Sequence, residues 1–335
     1  MKALVLERYA GAGGIEFADI AGPRIEPNEI LVQVHAAGLN PIDYMIAKGD
    51  FKPIIKLGLP ATLGSDLAGV VTSVGSAVTR FKVGDAVYAS TFDLGFGALA
   101  EYVAVPEHAA ALKPAKLDFV QAASIPMVGL TSWQALKERA QVKPGQKVFI
   151  PAGSGGIGTF AIQLAKHLGA TVGTTTSTAN LALVRSLGAD EVVDYKSQAF
   201  EDVLSGYDVV LGTVKGDGLE KALRIVKAGS AVVSLIGPPT AAFARARGMN
   251  VVLRFVFGLL SRKIIGRARA RDASYSFLFV RADGSQLAHI ATLIEASHIR
   301  PVVDRVFPFA QAKEAIAYLE GGRAKGKVVV QMLAP

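Results

Sequence analysis

The chain is organised around Gly153-Ser154-Gly155-Gly156-Ile157-Gly158. The apolar stretch Lys147 to Pro151 before it predicts a strand, and Ile157 to Leu168 carries a helical pattern that ends at Gly169. A glycine loop between strand and helix turns backbone amides and the positive helix end toward a diphosphate. Gly153 is expected to make the turn, Gly155 to let the diphosphate approach, and Gly158 to allow close helix packing, with Ser154, Gly156 and Ile157 completing the cradle. The Gly-Lys-Ser/Thr ending of an ATP or GTP loop is missing, so a dinucleotide is the better ligand.

Working outward, the downstream rhythm alternates. Strands are expected at Thr171 to Thr176, Glu191 to Asp194, Tyr207 to Leu211 and Ser230 to Ile236, with helices at Ala179 to Leu187 and Gly218 to Ile225. Upstream, Ser124 to Lys137 predicts a helix with Trp133 on a packed face. This is an α/β pattern, a doubly wound parallel sheet whose function collects at the carboxyl ends of its strands. Residues 1 to about 120 differ: short strand-like pieces at Ile30 to Ala36, Ala68 to Val74, Ala86 to Ala89 and Glu101 to Val105, broken by glycine and proline, read as a mostly β domain.

The end of the second strand carries the next cofactor signal. A carboxylate there would hold the ribose hydroxyls of NAD, whereas Thr174 to Thr178, with Thr176 and Ser177 at its centre, offers hydroxyls and no repulsion to a 2′-phosphate. That favours NADPH, although the same hydroxyls serve equally as caps for the helix near Ala179. Tyr195 and Lys196, beyond the third strand, are candidates to stack on adenine and contact the phosphate, or else form an ordinary loop pair.

Composition narrows the classes. With 335 residues, 51% of them apolar, the chain is long enough for two domains. The absence of cysteine removes disulfides, thiolate nucleophiles and Cys-based zinc sites, and fits a reducing, cytoplasmic setting. Met1 to Arg8 reads as an opening strand and not a signal peptide. The five histidines show no metal-ligand spacing, so no metal is expected; Ser154 lacks the frame of a hydrolase elbow, and Asp66 is expected to be structural. The formal charge of +8 concentrates in an acid-free run from Arg245 to Arg271 that encloses the apolar stretch Val251 to Leu260. That stretch falls short of the about 20 apolar residues of a span. It is expected to be a helical insert covering a cleft or subunit contact, with peripheral membrane contact through 245–271 as the other use. No helix-turn-helix or RNA-binding aromatic motif accompanies the charge, so no specific nucleic acid is expected.

Several phrases together carry a family likeness: Val34-His35-Ala36-Ala37-Gly38-Leu39-Asn40-Pro41-Ile42-Asp43, Pro60 through Gly69, Val83-Gly84-Asp85-Ala86-Val87, Gly129 through Leu136, Gly153 through Gly158, Leu187-Gly188-Ala189-Asp190 and Gly326-Lys327-Val328-Val329-Val330. In this order they resemble the medium-chain dehydrogenase/reductase superfamily over nearly the whole chain. Within it they resemble the zinc-independent quinone oxidoreductase, or zeta-crystallin-like, branch. Where the superfamily's zinc enzymes carry Cys-Gly and Gly-His-Glu phrases, this chain has Gly38-Leu39-Asn40 and Gly64-Ser65-Asp66, and the four-cysteine lobe is absent.

The resemblance implies a GroES-like, mostly β catalytic domain at 1–121 and 298–335. It implies a Rossmann nucleotide-binding domain at 122–297, with the insert near 241–271 and the active site in the cleft between domains. It also implies NADPH-dependent hydride transfer to the β-carbon of an α,β-unsaturated aldehyde or ketone (an enal or enone), with the proton taken from water; quinone reduction is the alternative. Asn40 and Tyr44 become candidates for substrate positioning, with Asp43 holding their loop, and Thr131 and Lys327 approach the nicotinamide. Ala179 and Asn180 stand where NADPH-preferring relatives often carry Lys or Arg, which leaves NADH use open. Tyr275 to Val280 resembles the edge strand through which relatives form homodimers.

Overall fold

The glycine loop follows the first strand of a six-stranded parallel sheet, Lys147–Ile150, Thr171–Thr176, Glu191–Asp194, Tyr207–Gly212, Val226–Ser234 and Ser274–Phe277. Numbered along the chain, the strands lie in the order 3-2-1-4-5-6, so the winding reverses beside the first strand, where such sheets bind ligands. The computed structural model describes residues 1–214 and 216–333. Helix Gly218–Ile225 buries Leu219, Ala222, Leu223 and Ile225, a spacing that puts one apolar face on the sheet against Phe149, Tyr207 and Val232. Each such large side chain contributes about 1.5–3 kcal/mol by leaving water. The Tyr207 hydroxyl donates to Glu191 Oε2 at 2.6 Å, and a Cβ on Gly173 would stand 1.9 Å from that hydroxyl oxygen, so the second strand needs glycine there.

The expected helix at Ser124 to Lys137 is present over 126–139, its second half a π-helical turn, and a separate short helix precedes it. A short helix, Phe119–Ala123, ends before Pro126, which has no amide hydrogen to continue it. Pro126–Trp133 then follows and runs into a π-helical turn, Gln134–Arg139. Thr131 lies inside this helix. The insert is two helices, Ala241–Ala246 and Val251–Arg269, whose starts are capped by Thr240 and Asn250 accepting from the amides of Phe243 and Leu253. Phe243 packs its ring 4.9 Å from Phe277 and 6.3 Å from Phe257, fastening the insert to the edge strand.

By packing, the chain divides into Met1–Leu130 with the segment from Val280 on, and Thr131–Phe279. Residues 122–130 and 280–297 therefore group with the first unit, whereas the sequence reading assigned them to the nucleotide domain. Helix Gly284–Glu295 lies on strand Ala110–Leu112 at a distance only glycine permits, since a Cβ on Gly284 would be 2.1 Å from the Ala110 carbonyl oxygen. Tyr88 donates to the Leu287 carbonyl at 2.6 Å, tying the same helix to the first unit.

That first unit is built on a seven-stranded mixed sheet whose central strand, Glu29–Leu39, pairs with Asp66–Val74, Tyr102–Pro106 and Lys327–Gln331. Ile30, Val32 and Val34 alternate inward along it, the period-two pattern that fixes register. A smaller sheet joins Lys2–Leu6 to Ile15–Asp19 and Ala61–Thr62. Among the described residues no helix is long and apolar enough to cross a membrane.

Candidate dinucleotide and substrate site

Gly153 lies in the turn as expected, a turn closed by the Gly155 amide donating to the Ala152 carbonyl at 3.0 Å, and the left-handed residue at its start is Ala152, at φ 55°. Gly153 is required there for space as well: a Cβ on it would stand 2.1 Å from Thr174 Oγ1. Gly158 allows close packing as expected, with the Ala152 carbonyl 2.5 Å from where its Cβ would be. Around Gly155 the nearest obstruction is the Ala152 oxygen at 3.3 Å, so one side of the loop stays open. Helix Gly156–His167 begins there without a side-chain cap, and its first intrahelical bond is donated by Thr159 to Gly155 O at 2.9 Å. The amides of Gly156, Ile157 and Gly158 thus have no partner within the helix, and an incoming anion can take them.

The threonine run divides by task. Thr174 donates to the Ile150 carbonyl at 2.6 Å, and Thr175 accepts from the Ala152 amide at 3.1 Å, so both are consumed in fastening the loop to its sheet. Thr176 instead donates to Ser154 Oγ at 2.9 Å. Asn180 donates from Nδ2 to Ser154 Oγ at 3.2 Å and to Ser177 Oγ at 3.3 Å, while its Oδ1 is buried without a partner. Ser154, Thr176, Ser177 and Asn180 form a neutral pocket at the end of the second strand, the place where this fold recognises the ribose. The orphaned amide oxygen and the open glycine loop fit an adenosine diphosphate moiety. Asn180 entered the sequence reading only as a missing cation; the signal for it was its place three residues after Ser177. Nearby, the Thr178 hydroxyl donates to Asp194 and holds its carboxyl below the usual range. Lys196 donates its amide to Asp194 at 2.9 Å, and Tyr195 is 61% exposed.

A second cluster is assembled by the mixed sheet. Asn40 ends the strand Glu29–Leu39, Asp66 starts Asp66–Val74 and Lys327 starts Lys327–Gln331; the register sets Gly38 opposite Asp66 and Leu39 opposite Val328. Lys327 Nζ donates to Asn40 Oδ1 at 2.6 Å and lies 3.4 Å from Asp66 Oδ2, while Asn40 Nδ2 donates to the same carboxylate oxygen at 2.9 Å. The Met127 amide adds contacts of 3.1 Å to both Asp66 oxygens. Asn40 also caps helix Pro41–Lys48, its backbone amide donating to Asp43 Oδ2 at 2.7 Å. Asp43 therefore holds the loop as expected, and its Oδ1 has no partner.

Asn40, Asp43, Asp66 and Lys327 are 0–4% exposed, so the Lys327 ammonium and the Asn40 amide are already committed within the protein. Burial pushes the Asp66 carboxyl up and the Lys327 ammonium down, and their mutual attraction opposes both shifts. Burial carries Asp43 up to about 7, against the pull of the Asn40 amide. Tyr44, on the same helix, is half-buried and its hydroxyl makes no hydrogen bond among the described residues; Lys48 Nζ lies 5.5 Å from its ring.

Comparison with known proteins gives two domain matches. Residues 26–115 match the alcohol dehydrogenase GroES-like domain, and residues 187–330 match the zinc-binding dehydrogenase domain. The metal in that second description does not suit the donors present. Among the described residues no three His, Cys, Asp or Glu side chains gather, and the Asp66 carboxylate is taken by the Lys327 ammonium. The chain is 38% identical to the NADPH-dependent alkenal/one oxidoreductase, chloroplastic, of Arabidopsis thaliana, covering 98% of this chain and 79% of the relative. It is also 38% identical to the 2-methylene-furan-3-one reductase of Solanum lycopersicum, with the same coverages. The solved quinone oxidoreductase from Coxiella burnetii superposes with a TM-score of 0.85 at 30% identity over 99% of each chain. The two domain matches, the reversed 3-2-1-4-5-6 sheet and these full-length similarities place the chain in the medium-chain dehydrogenase/reductase superfamily, among its quinone oxidoreductase-like members.

Proposed function

We propose that this protein is a zinc-independent, NADPH-dependent reductase of the activated carbon–carbon double bond of α,β-unsaturated aldehydes and ketones. The observation that carries the reading is the neutral cluster of Ser154, Thr176, Ser177 and Asn180 at the end of the second strand, which offers hydrogen-bonding groups to a 2′-phosphate while Thr178 holds the neighbouring Asp194 carboxylate. The substrate class comes from the relatives that act on alkenals and on a methylene-furanone.

When bound, NADPH supplies the hydride that the substrate accepts at its β-carbon, and the resulting enolate takes a proton from water. The free amides of Gly156, Ile157 and Gly158 hold the diphosphate, and Lys196 and Tyr195 flank the adenosine end. Thr131 would serve the nicotinamide side, and Lys327, buried between Asn40 and Asp66, holds Asn40 in place. Asn40, locked by Asp66 and Lys327, is a rigid wall of the substrate site and not a mobile ligand. Tyr44 has the hydroxyl available to orient the substrate carbonyl. Alignment of two reacting carbons, and not a nucleophile, is what such a step requires.

Zinc independence is supported by the ammonium that neutralises Asp66. A homodimer is supported by the outer edge of Ser274–Phe277, an open template for a partner strand. A cytoplasmic location is supported by the cysteine-free composition. Quinone reduction is the second reading, favoured by the full-length similarity to a quinone oxidoreductase.

The deciding experiment follows NADPH oxidation, with chelator present, across 2-alkenals, enones and quinones. Saturable turnover of an enal or enone, with the carbonyl retained in the product, is expected. Turnover confined to quinones promotes the second reading, and absence of cofactor binding refutes both. Light scattering and cell fractionation check the dimer and the location.

A further inference from the structure

Helix Val251–Arg269 has one face that the fold uses and one that it does not. Phe257, Ser261, Ile264 and Ala268 are buried toward the sheet. On the other side Val251, Val252, Phe255, Val256, Leu259 and Leu260 lie exposed, Phe255 to 72% and Val251 to 74%. Six large apolar side chains side by side in water mark an interaction surface rather than ordinary surface scatter. Past Leu260 the character of that side changes, and Arg262, Lys263, Arg267 and Arg269 are exposed. Eight Lys or Arg and no Asp or Glu occur between residues 241 and 271.

We propose that this face docks the protein on an anionic lipid bilayer, the apolar first half of the helix entering the acyl boundary and the basic second half remaining among the headgroups. Both halves of the pattern are then used. Apolar side chains leave water, and the acid-free run meets the negative surface potential of the leaflet. A second copy of the chain is a poorer occupant, because a two-fold contact would bring two acid-free basic segments together. A nucleic acid would satisfy the arginines and leave the six apolar groups in water. The helix lies on the membrane and does not span it, in keeping with the absence of a membrane-crossing helix among the described residues. Helix anatomy carries this inference independently of the redox chemistry.

The test is flotation of the full-length protein with phosphatidylcholine vesicles, with and without phosphatidylglycerol. Two variants leave Lys263 and Arg267, which hold Glu220, untouched. Wild type is expected to float with the anionic vesicles and to lose binding as salt rises. Arg262→Gln with Arg269→Gln should weaken binding about twenty-five-fold, since each charge near such a surface is worth about fivefold. Phe255→Ser with Leu259→Ser should abolish binding while melting temperature and oligomeric state stay unchanged. Phe255→Trp, made separately, should shift its emission to the blue on anionic vesicles alone. Wild type that fails to float at low salt, or serine variants that float as well as wild type, would overturn the proposal. So would serine variants that dissociate an oligomer of a wild type indifferent to lipid, which would assign the face to a second copy.

Discussion

Replacing Asp43 by Asn should make the protein more stable, and only at neutral to alkaline pH. Asp43 is buried, its Oδ2 accepts from the Asn40 amide, and its Oδ1 has no partner. Its carboxyl is raised from 3.8 to about 7. An acid whose folded pKa exceeds its unfolded value contributes stability below the unfolded pKa and loses it as pH rises through the folded one. The unfolded chain releases the proton near 3.8 while the native state keeps it to about 7. Three units at 1.36 kcal/mol each make a cost of about 4 kcal/mol above neutrality. Asn keeps the acceptor for the Asn40 amide and removes the charge, but leaves a buried NH2 without an acceptor, which costs about 1–3 kcal/mol. The net effect of Asp43→Asn is therefore a gain of about 1–3 kcal/mol at about pH 8 that turns into a loss of about 1–3 kcal/mol at about pH 4, where the wild-type carboxyl is neutral and only the cost of the NH2 group remains. Urea titrations of wild type and variant across that range measure it directly. A variant less stable than wild type at the alkaline end, or a difference that does not change with pH, would refute the assignment of a strained, ionised Asp43.

Removing the ammonium acts in the opposite sense: Lys327→Met should cost about 3–5 kcal/mol in denaturant titrations at neutral pH by leaving Asp66 unpaired. Adding Asp66→Asn should recover part of that loss, and a double variant no more stable than the single one would contradict the pairing. In the cofactor pocket, Asn180→Asp should weaken NADP+ and 2′,5′-ADP binding by about tenfold or more, through repulsion worth upward of 1.4 kcal/mol, and leave NAD+ binding nearly unchanged. Calorimetry showing equal losses for both dinucleotides would remove Asn180 from the 2′ position. Gly158→Ala should cost about 1–3 kcal/mol because its Cβ meets backbone atoms, whereas Gly155→Ala should leave folding intact and weaken dinucleotide binding. Matching stability losses in the two variants would count against the division of roles within the loop.

Local signals were legible and long-range ones were not. The alternation of strands and helices after residue 146 is written in neighbouring side chains, so nearly every element of the parallel sheet can be read directly. The Asn40–Lys327 bond joins residues 287 apart and depends on sheet register, which no local pattern near either residue specifies. The same limit explains why Lys327 entered the sequence analysis only through the family resemblance, on the nicotinamide side, and not as the partner of Asn40 and Asp66. The left-handed conformation of Ala152 was missed because a left-handed alanine has no compositional marker, while the four glycines that follow it do. Thr174 and Thr175 were read as cofactor hydroxyls from their type alone, and only the sheet reveals that the backbone has already claimed them.

The joining of residue 40 to residue 327 also constrains how the chain can fold as it is made. Residues 131–279 are contiguous and carry their whole sheet, so this unit can close while synthesis continues. The other unit must wait, because its central strand lacks a neighbour and Asp66 lacks its counter-charge until Lys327–Gln331 emerges. Nascent chains halted before residue 327 should yield a protease-resistant fragment from the parallel sheet and none from the N-terminal 130 residues; equal protection of both would contradict this order. Residues 327–331 therefore decide whether the first hundred reach their native state.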